Sequence, residues 1–163
     1  MSGTRVPAQR ARLPLLDRLM DSDPGAPEPP PPSAAMALEM LHQAVRRDLE
    51  AVLNARRRRR PVPAALEELV VSPLNYGIPD ATSGAYAVPA RRQALAREVE
   101  ATIRRFEPRL MSVHVELIAA EDDLGRALRL KVDAVLRADP VPEPVSFETL
   151  LEPVSRDVTV REG

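Results

Sequence analysis

Apolar residues recur every three or four positions along the first two thirds of the chain and every second position along the last third. Leu15, Leu16 and Leu19 make a short stripe that predicts a two-turn helix within residues 13–21. Leu38, Leu41, Val45, Leu49, Val52 and Leu53 make a longer one, predicting a helix over residues 34–57 with Ser33 as its N-cap and Pro61 barring continuation. A short helix is expected over 63–71 on Leu66, Leu69 and Val70, followed by a turn-rich loop over 72–80. Leu95, Val99, Ile103 and Phe106 line one side of a further amphipathic helix over 91–106, and Pro108 ends it by pushing Glu107 out of helical geometry.

Then the period changes to two. Met111, Val113, Val115, Leu117 and Ala119 alternate against Ser112, His114, Glu116 and Ile118, which predicts a strand with one apolar face. A turn over 121–125 follows, with Gly125 suited to a positive φ. Leu128, Leu130, Val132, Ala134 and Leu136 predict a second strand, antiparallel to the first because the connection is short. Pro140, Pro142 and Pro144 form a bent connector, Val145, Phe147 and Thr149 open a third extended piece over 145–151, and residues 156–160 supply a last one. Helices first and strands after predict an α+β domain, with helices covering one face of a small, mainly antiparallel sheet.

Residues 21–35 hold six of the 18 prolines, including four in a row from Pro29, a composition that favours extended polyproline geometry and builds no core. The expected organisation is a mobile N-terminal segment over 1–35, carrying the short helix and this linker, and a single α+β domain over 36–163. A helix as short as the first is unstable alone in water and needs something to pack on.

Composition narrows the chemistry. The 163 residues carry 23 basic and 24 acidic side chains, a net charge of −1 that argues against a dedicated nucleic-acid binder. An aromatic share of 2% leaves few stacking platforms for sugars or bases. With no cysteine and only His42 and His114, thiolate and histidine-rich metal sites are excluded. No apolar run approaches the ~20 residues that span a bilayer, and the N-terminus lacks the apolar centre of a signal peptide, so a cytoplasmic location is expected.

No catalytic constellation stands out. Glu121, Asp122 and Asp123 fall in an expected surface turn, His114 on the polar face of a strand, and His42 at a helix boundary. The arginine run over 56–60 reads as a solvated helix end that complements the dipole, with docking to an acidic surface as the functional alternative. Glu107-Pro108-Arg109 is more informative: an acid and a base flank a rigid residue where an apolar helix face meets the sheet. Each charge requires a partner of opposite sign. Two readings stand side by side, an internal lock of helix to strand, and an Arg109 fork presented to a carboxylate or carbonyl cluster on another protein.

The segment from Leu15 to Leu19, Arg47-Asp48 and the residues up to Asn54, the loop carrying Asn75-Tyr76-Gly77, and the Glu107-Pro108-Arg109 triplet occur in an order that resembles the TssE family. TssE proteins are baseplate wedge subunits of the bacterial type VI secretion system, similar to a small wedge protein of contractile phage baseplates once labelled lysozyme-related. The resemblance spans roughly residues 13–160. It implies a non-enzymatic scaffold without cofactor or metal, which joins wedge subunits of the TssF, TssG and TssK type to sheath subunits of the TssB and TssC type in a membrane-docked baseplate. It implies a sheet like the interlocking domain of sheath subunits, with strands 128–136, 145–151 and 156–160 as pairing candidates. Glu107, Pro108 and Arg109, Leu15, Leu16, Arg18 and Leu19, and Asn75, Tyr76 and Gly77 are the implied partner-binding residues. A peptidoglycan hydrolase, or the equivalent subunit of a phage tail or extracellular injection particle, are the alternatives.

Overall fold

A computed structural model of the chain describes residues 15–20, 25, 30, 32–58, 60, 62–63, 65–79, 89–118, 128–139, 141–151 and 158–163. Among these, α1 spans Leu15–Leu19, α2 Ala34–Asn54, α3 Glu67–Val70 and α4 Pro89–Phe106, with a 3₁₀ turn at Pro73–Asn75 before α4. The strands follow: β1 is Leu110–Ile118, β2 Leu128–Leu136, β3 Glu143–Leu151 and β4 Val158–Glu162. They form one antiparallel sheet in the order β1-β2-β3-β4, an α+β fold with each strand beside its neighbour in sequence. The acidic turn over 121–125 and Pro140 lie outside the described residues.

Helix α2 begins where expected. The Ser33 side chain accepts from the Met36 N–H at 3.2 Å, which satisfies one of the orphan donors of the first turn. It buries Leu41, Val45, Leu49, Val52 and Leu53, joined by the small residues Ala37 and Ala44. It ends at Asn54, short of the expected residue 57, because Ala55 turns extended and residue 56 bridges in parallel to Ile78. The arginine run therefore lies beyond the helix, and no basic residue occupies its last turn. Helix α3 is also shorter than expected, with Leu66 outside it and 49% exposed. In α4, Val99 and Ile103 are fully buried beside Leu95 and Ala96, while Phe106 packs half-buried at the edge of the core.

In β2, Leu128, Leu130, Val132, Ala134 and Leu136 all point into the core, as their alternation requires. β1 keeps its expected phase from Val113 onward and departs from it at Met111. Leu110 faces Leu136 and Ser112 faces Val135, so Met111 is the extra residue of a bulge and stands 54% exposed. The bulge returns Leu110, Val113 and Val115 to the core side, which a strictly alternating strand cannot do. Pro144 belongs to β3 and not to a connector; β4 pairs with β3 only from Phe147 onward, so the missing N–H breaks no ladder bond there. β2 and β3 have neighbours on both sides over the pairing stretches, which removes 128–136 and most of 145–151 as free edges. Only β1 and β4 are outer strands among the described residues.

Candidate partner-docking site

The turn from α4 into β1 carries the charged triplet. The Glu107 N–H still donates to the Ile103 carbonyl at 2.8 Å, so its side chain leaves the last turn of the helix pointing inward, and the residue is 3% exposed. Pro108 sits exposed at the tip of the turn, which closes with the Leu110 N–H on the Glu107 carbonyl at 3.1 Å. The chain then brings Arg109 back over the buried carboxylate. Its Nε donates to Glu107 Oε1 at 2.5 Å, its Nη2 donates to Glu107 Oε2, and its backbone N–H adds a third bond at 3.2 Å. Two parallel bonds between a guanidinium and a carboxylate are the strong, oriented form of an ion pair. The internal lock of helix to strand is thus made within the triplet itself.

The same Nη2 reaches α2, donating to Asp48 Oδ2 at 2.6 Å. Asp48 in turn accepts from Arg47 Nε at 3.1 Å. Arg47 carries the chain of charges outward, its fork gripping both carboxylate oxygens of Asp17 in α1 at 2.6 and 3.2 Å. Signs alternate from Glu107 through Arg109, Asp48 and Arg47 to Asp17. The hydrogen bond from Arg47, supported by the positive charges of Arg47 and Arg109, holds the Asp17 carboxyl below the usual carboxylate range. Burial works against the charged form of Arg109, but the bond and the charge of Glu107, with Asp48 behind them, outweigh it and raise its pKa. An open cleft of about 370 Å³ lies over this network, bordered by Asp48, Tyr76, Phe106, Pro108 and Arg109. Burial raises the Tyr76 phenol above its ordinary value, and the nearby carboxylates of Asp48 and Glu107 add to the effect.

The Asn75-Tyr76-Gly77 loop builds the wall of that cleft. Asn75 is buried, its amide donating to the Val70 carbonyl at 2.8 Å at the end of α3. Tyr76 meets Phe106 edge to face, ring centroids 5.2 Å apart. Gly77 has φ +95°, and a Cβ there would stand 2.3 Å from the Ala55 carbonyl oxygen. This close approach lets the Ile78 N–H donate to Ala55 at 3.0 Å and the Arg57 N–H to Ile78 at 2.9 Å, tying the loop to the exit of α2. Asn75 and Gly77 face inward, whereas Tyr76 is half-buried on the cleft.

The family model for the baseplate wedge protein gp25 matches residues 39–141, more than half of the chain. The chain belongs to this baseplate wedge family. No curated protein matches it. The wedge-family match takes in most of α2, the loop, α4, the charged triplet, β1 and β2, and leaves α1, β3 and β4 outside. Membership makes this chain a structural baseplate component that assembles with other baseplate proteins.

The structure therefore brings Glu107, Pro108, Arg109 and Tyr76 to one cleft and joins them to α1 through Arg47. Leu15, Leu16 and Leu19 of α1 are 66%, 61% and 71% exposed. Arg18 lies in the same helix, its side chain outside the described residues. Arg47 and Asp48 entered the sequence reading only within the segment that carries the resemblance, with no pairing assigned to them; the triplet demands a further charge but does not say where in the chain it lies. Of the arginine run, Arg56 donates to the Leu53 carbonyl at 3.0 Å and Arg57 pairs with Glu98 of α4 at 2.7 Å, so both serve the end of α2. His42 stands half-buried beside Glu143, and His114 is exposed between Glu100 and Glu116. No group of metal-ligating side chains occurs among the described residues, and none of their helices is long and apolar enough to cross a membrane.

Proposed function

We propose that this wedge-family chain is the TssE-type subunit of a type VI secretion baseplate on the cytoplasmic side of the membrane, joining TssF-, TssG- and TssK-type wedge neighbours to the TssB- and TssC-type sheath. The observation that carries the reading is α1. Three leucines at helical spacing stand in solvent on a five-residue helix that an ion pair ties to the charged triplet. An exposed apolar side of this kind is unfavourable in an isolated chain and favourable once a neighbouring helix covers it. Asp17 and Arg47 keep the helix near the cleft, so that Leu15, Leu16, Leu19, Tyr76, Pro108 and the outer edge of Arg109 form one continuous docking region for the wedge. The sheet supplies the second function, pairing an outer strand with the first sheath ring and so setting the orientation from which the sheath grows.

The test is a tagged pull-down of the full chain from its own cells, with co-purifying proteins identified by mass spectrometry. Wedge and sheath subunits are expected with the unaltered chain, and Leu15→Ser/Leu16→Ser/Leu19→Ser is expected to lose the wedge proteins while remaining folded. Recovery of the chain alone, in cells that make the sheath, overturns the reading.

A further inference from the structure

The path from α2 to α4 makes a long detour whose two ends meet. The Ile78 N–H donates to the Ala55 carbonyl at 3.0 Å and the Arg57 N–H donates to the Ile78 carbonyl at 2.9 Å, so residues 58–77 form a loop shut at its neck. Gly77 makes the neck tight, since its φ of +95° and missing Cβ let the returning chain lie against Ala55. Long loops closed in this way are a common seat of function.

Polar side chains fix the shape of this loop. The Ser72 hydroxyl donates to the Leu69 carbonyl at 2.8 Å and accepts from the Leu74 N–H at 3.3 Å. The Asn75 amide pins the end of α3 through the Val70 carbonyl. Among the described residues between Arg57 and Tyr76, no apolar side chain enters the core, and Val62, Leu69 and Val70 are only half-buried. Leu66, Val71 and Leu74 stand 49%, 60% and 46% exposed. Ordering a segment costs conformational entropy, and this one recovers little of that cost by burying apolar surface. The loop is held in one shape while its large apolar side chains stay in water, as in a surface that a partner completes.

The charges beside the loop name that partner. Arg57, at the neck, pairs with Glu98 on α4 at 2.7 Å. Arg58 and Arg60 follow it and are exposed. Arg91 and Arg105 lie seven residues to either side of Glu98, two turns away on the same side of α4. None of these four arginines has an ion pair among the described residues, whereas Arg47, Arg104 and Arg109 are all paired. Guanidinium forks with no acid opposite them call for carboxylates from outside the chain. Glu67 and Glu68, directly after Leu66, resist an anionic lipid surface, and an aromatic share of 2% offers no stacking to nucleic acid.

We infer that the loop over 58–77, with the adjoining side of α4 at Glu98, is a second docking surface of this wedge subunit. Its occupant is a segment of a baseplate neighbour in which apolar residues are flanked by Asp or Glu. The surface uses no residue of α1 or of the charged triplet. It rests on wedge-family membership, which brings other baseplate proteins against the chain.

A photo-crosslinking amino acid at position 74 of the full chain, in cells that assemble the baseplate, tests it when the crosslinked peptide is sequenced. The expected product is a baseplate-subunit peptide in which apolar residues are flanked by carboxylates. Arg58→Glu/Arg60→Glu is expected to lower the crosslinking yield by about tenfold or more, and Leu66→Ser/Val71→Ser to do the same. Both variants are expected to keep the melting temperature of the unaltered chain, because the four side chains lie outside the core. Crosslinking to lipid, to a second copy of this chain or to a peptide without carboxylates overturns the inference. So does the lack of a crosslinked product, or a yield that charge reversal leaves unchanged.

Discussion

Glu107 holds a carboxylate almost wholly out of water, and the residue two positions later neutralises it. Arg109→Ala strands that charge, along with half of the contacts of Asp48. Loss of one member of a buried pair costs about 3–5 kcal/mol, so a large drop in the melting temperature of the isolated chain is expected. A melting temperature unchanged in this variant would count against the lock. Gly77→Ala is expected to cost at least about 2 kcal/mol by urea denaturation, since φ is +95° and the new methyl meets main chain that cannot yield. The Asp17–Arg47 pair has a pH signature. The Asp17 pKa is lowered by folding, so its contribution is fully present above the unfolded carboxylate value of about 3.9 and is lost as pH falls through the lower folded value. The difference in stability between the unaltered chain and Arg47→Ala is therefore expected at pH 7 and should shrink on acidification below pH ~4, read by thermal melts across that range.

Among the elements, α2, α4 and β2 were legible because burial on one side writes a period into the sequence. β1 was legible in existence and, from Val113 onward, in phase; only its start was not. A bulge at Met111 adds one residue to one strand, and nothing in an alternating pattern marks which residue is extra. The end of α2 was misplaced for a related reason: helix propensity through the arginine run was overridden by the parallel bridge to Ile78, a contact between segments 22 residues apart. That exit also positions Asn54, whose two bonds hold the start of β4. Asn54→Ala leaves both Val158 groups without their side-chain partner and is expected to cost about 1–3 kcal/mol, with faster amide exchange at Val158 as the local readout.

At the scale of the whole molecule, two helices lie on one face of a four-stranded meander, and their polar side chains reach around both outer strands. Among the described residues, part of each outer strand is covered by helix side chains, while α1 bears three leucines in solvent. Wedge-family membership and the aromatic-poor surface both point to scaffolding, and purified protein is expected to leave cell-wall suspensions turbid. Clearing that disappears in Glu107→Gln would revive the hydrolase alternative.

The sequence by itself determined the elements, their order and the buried side of α2, α4 and β2, because periodicity and proline placement act over a few neighbouring residues. It also marked the Glu107-Pro108-Arg109 triplet and required that its charges be paired. Only the tertiary structure decided where those partners lie: Arg109 answers Glu107 locally, while Asp48 and Arg47 answer from a helix some 60 residues earlier. It alone showed that two of the three expected pairing strands are interior and that β1, not singled out in advance, is an outer strand. Strand order, edge cover and long-range ion pairs depend on which surfaces meet after folding, and no local pattern encodes that meeting.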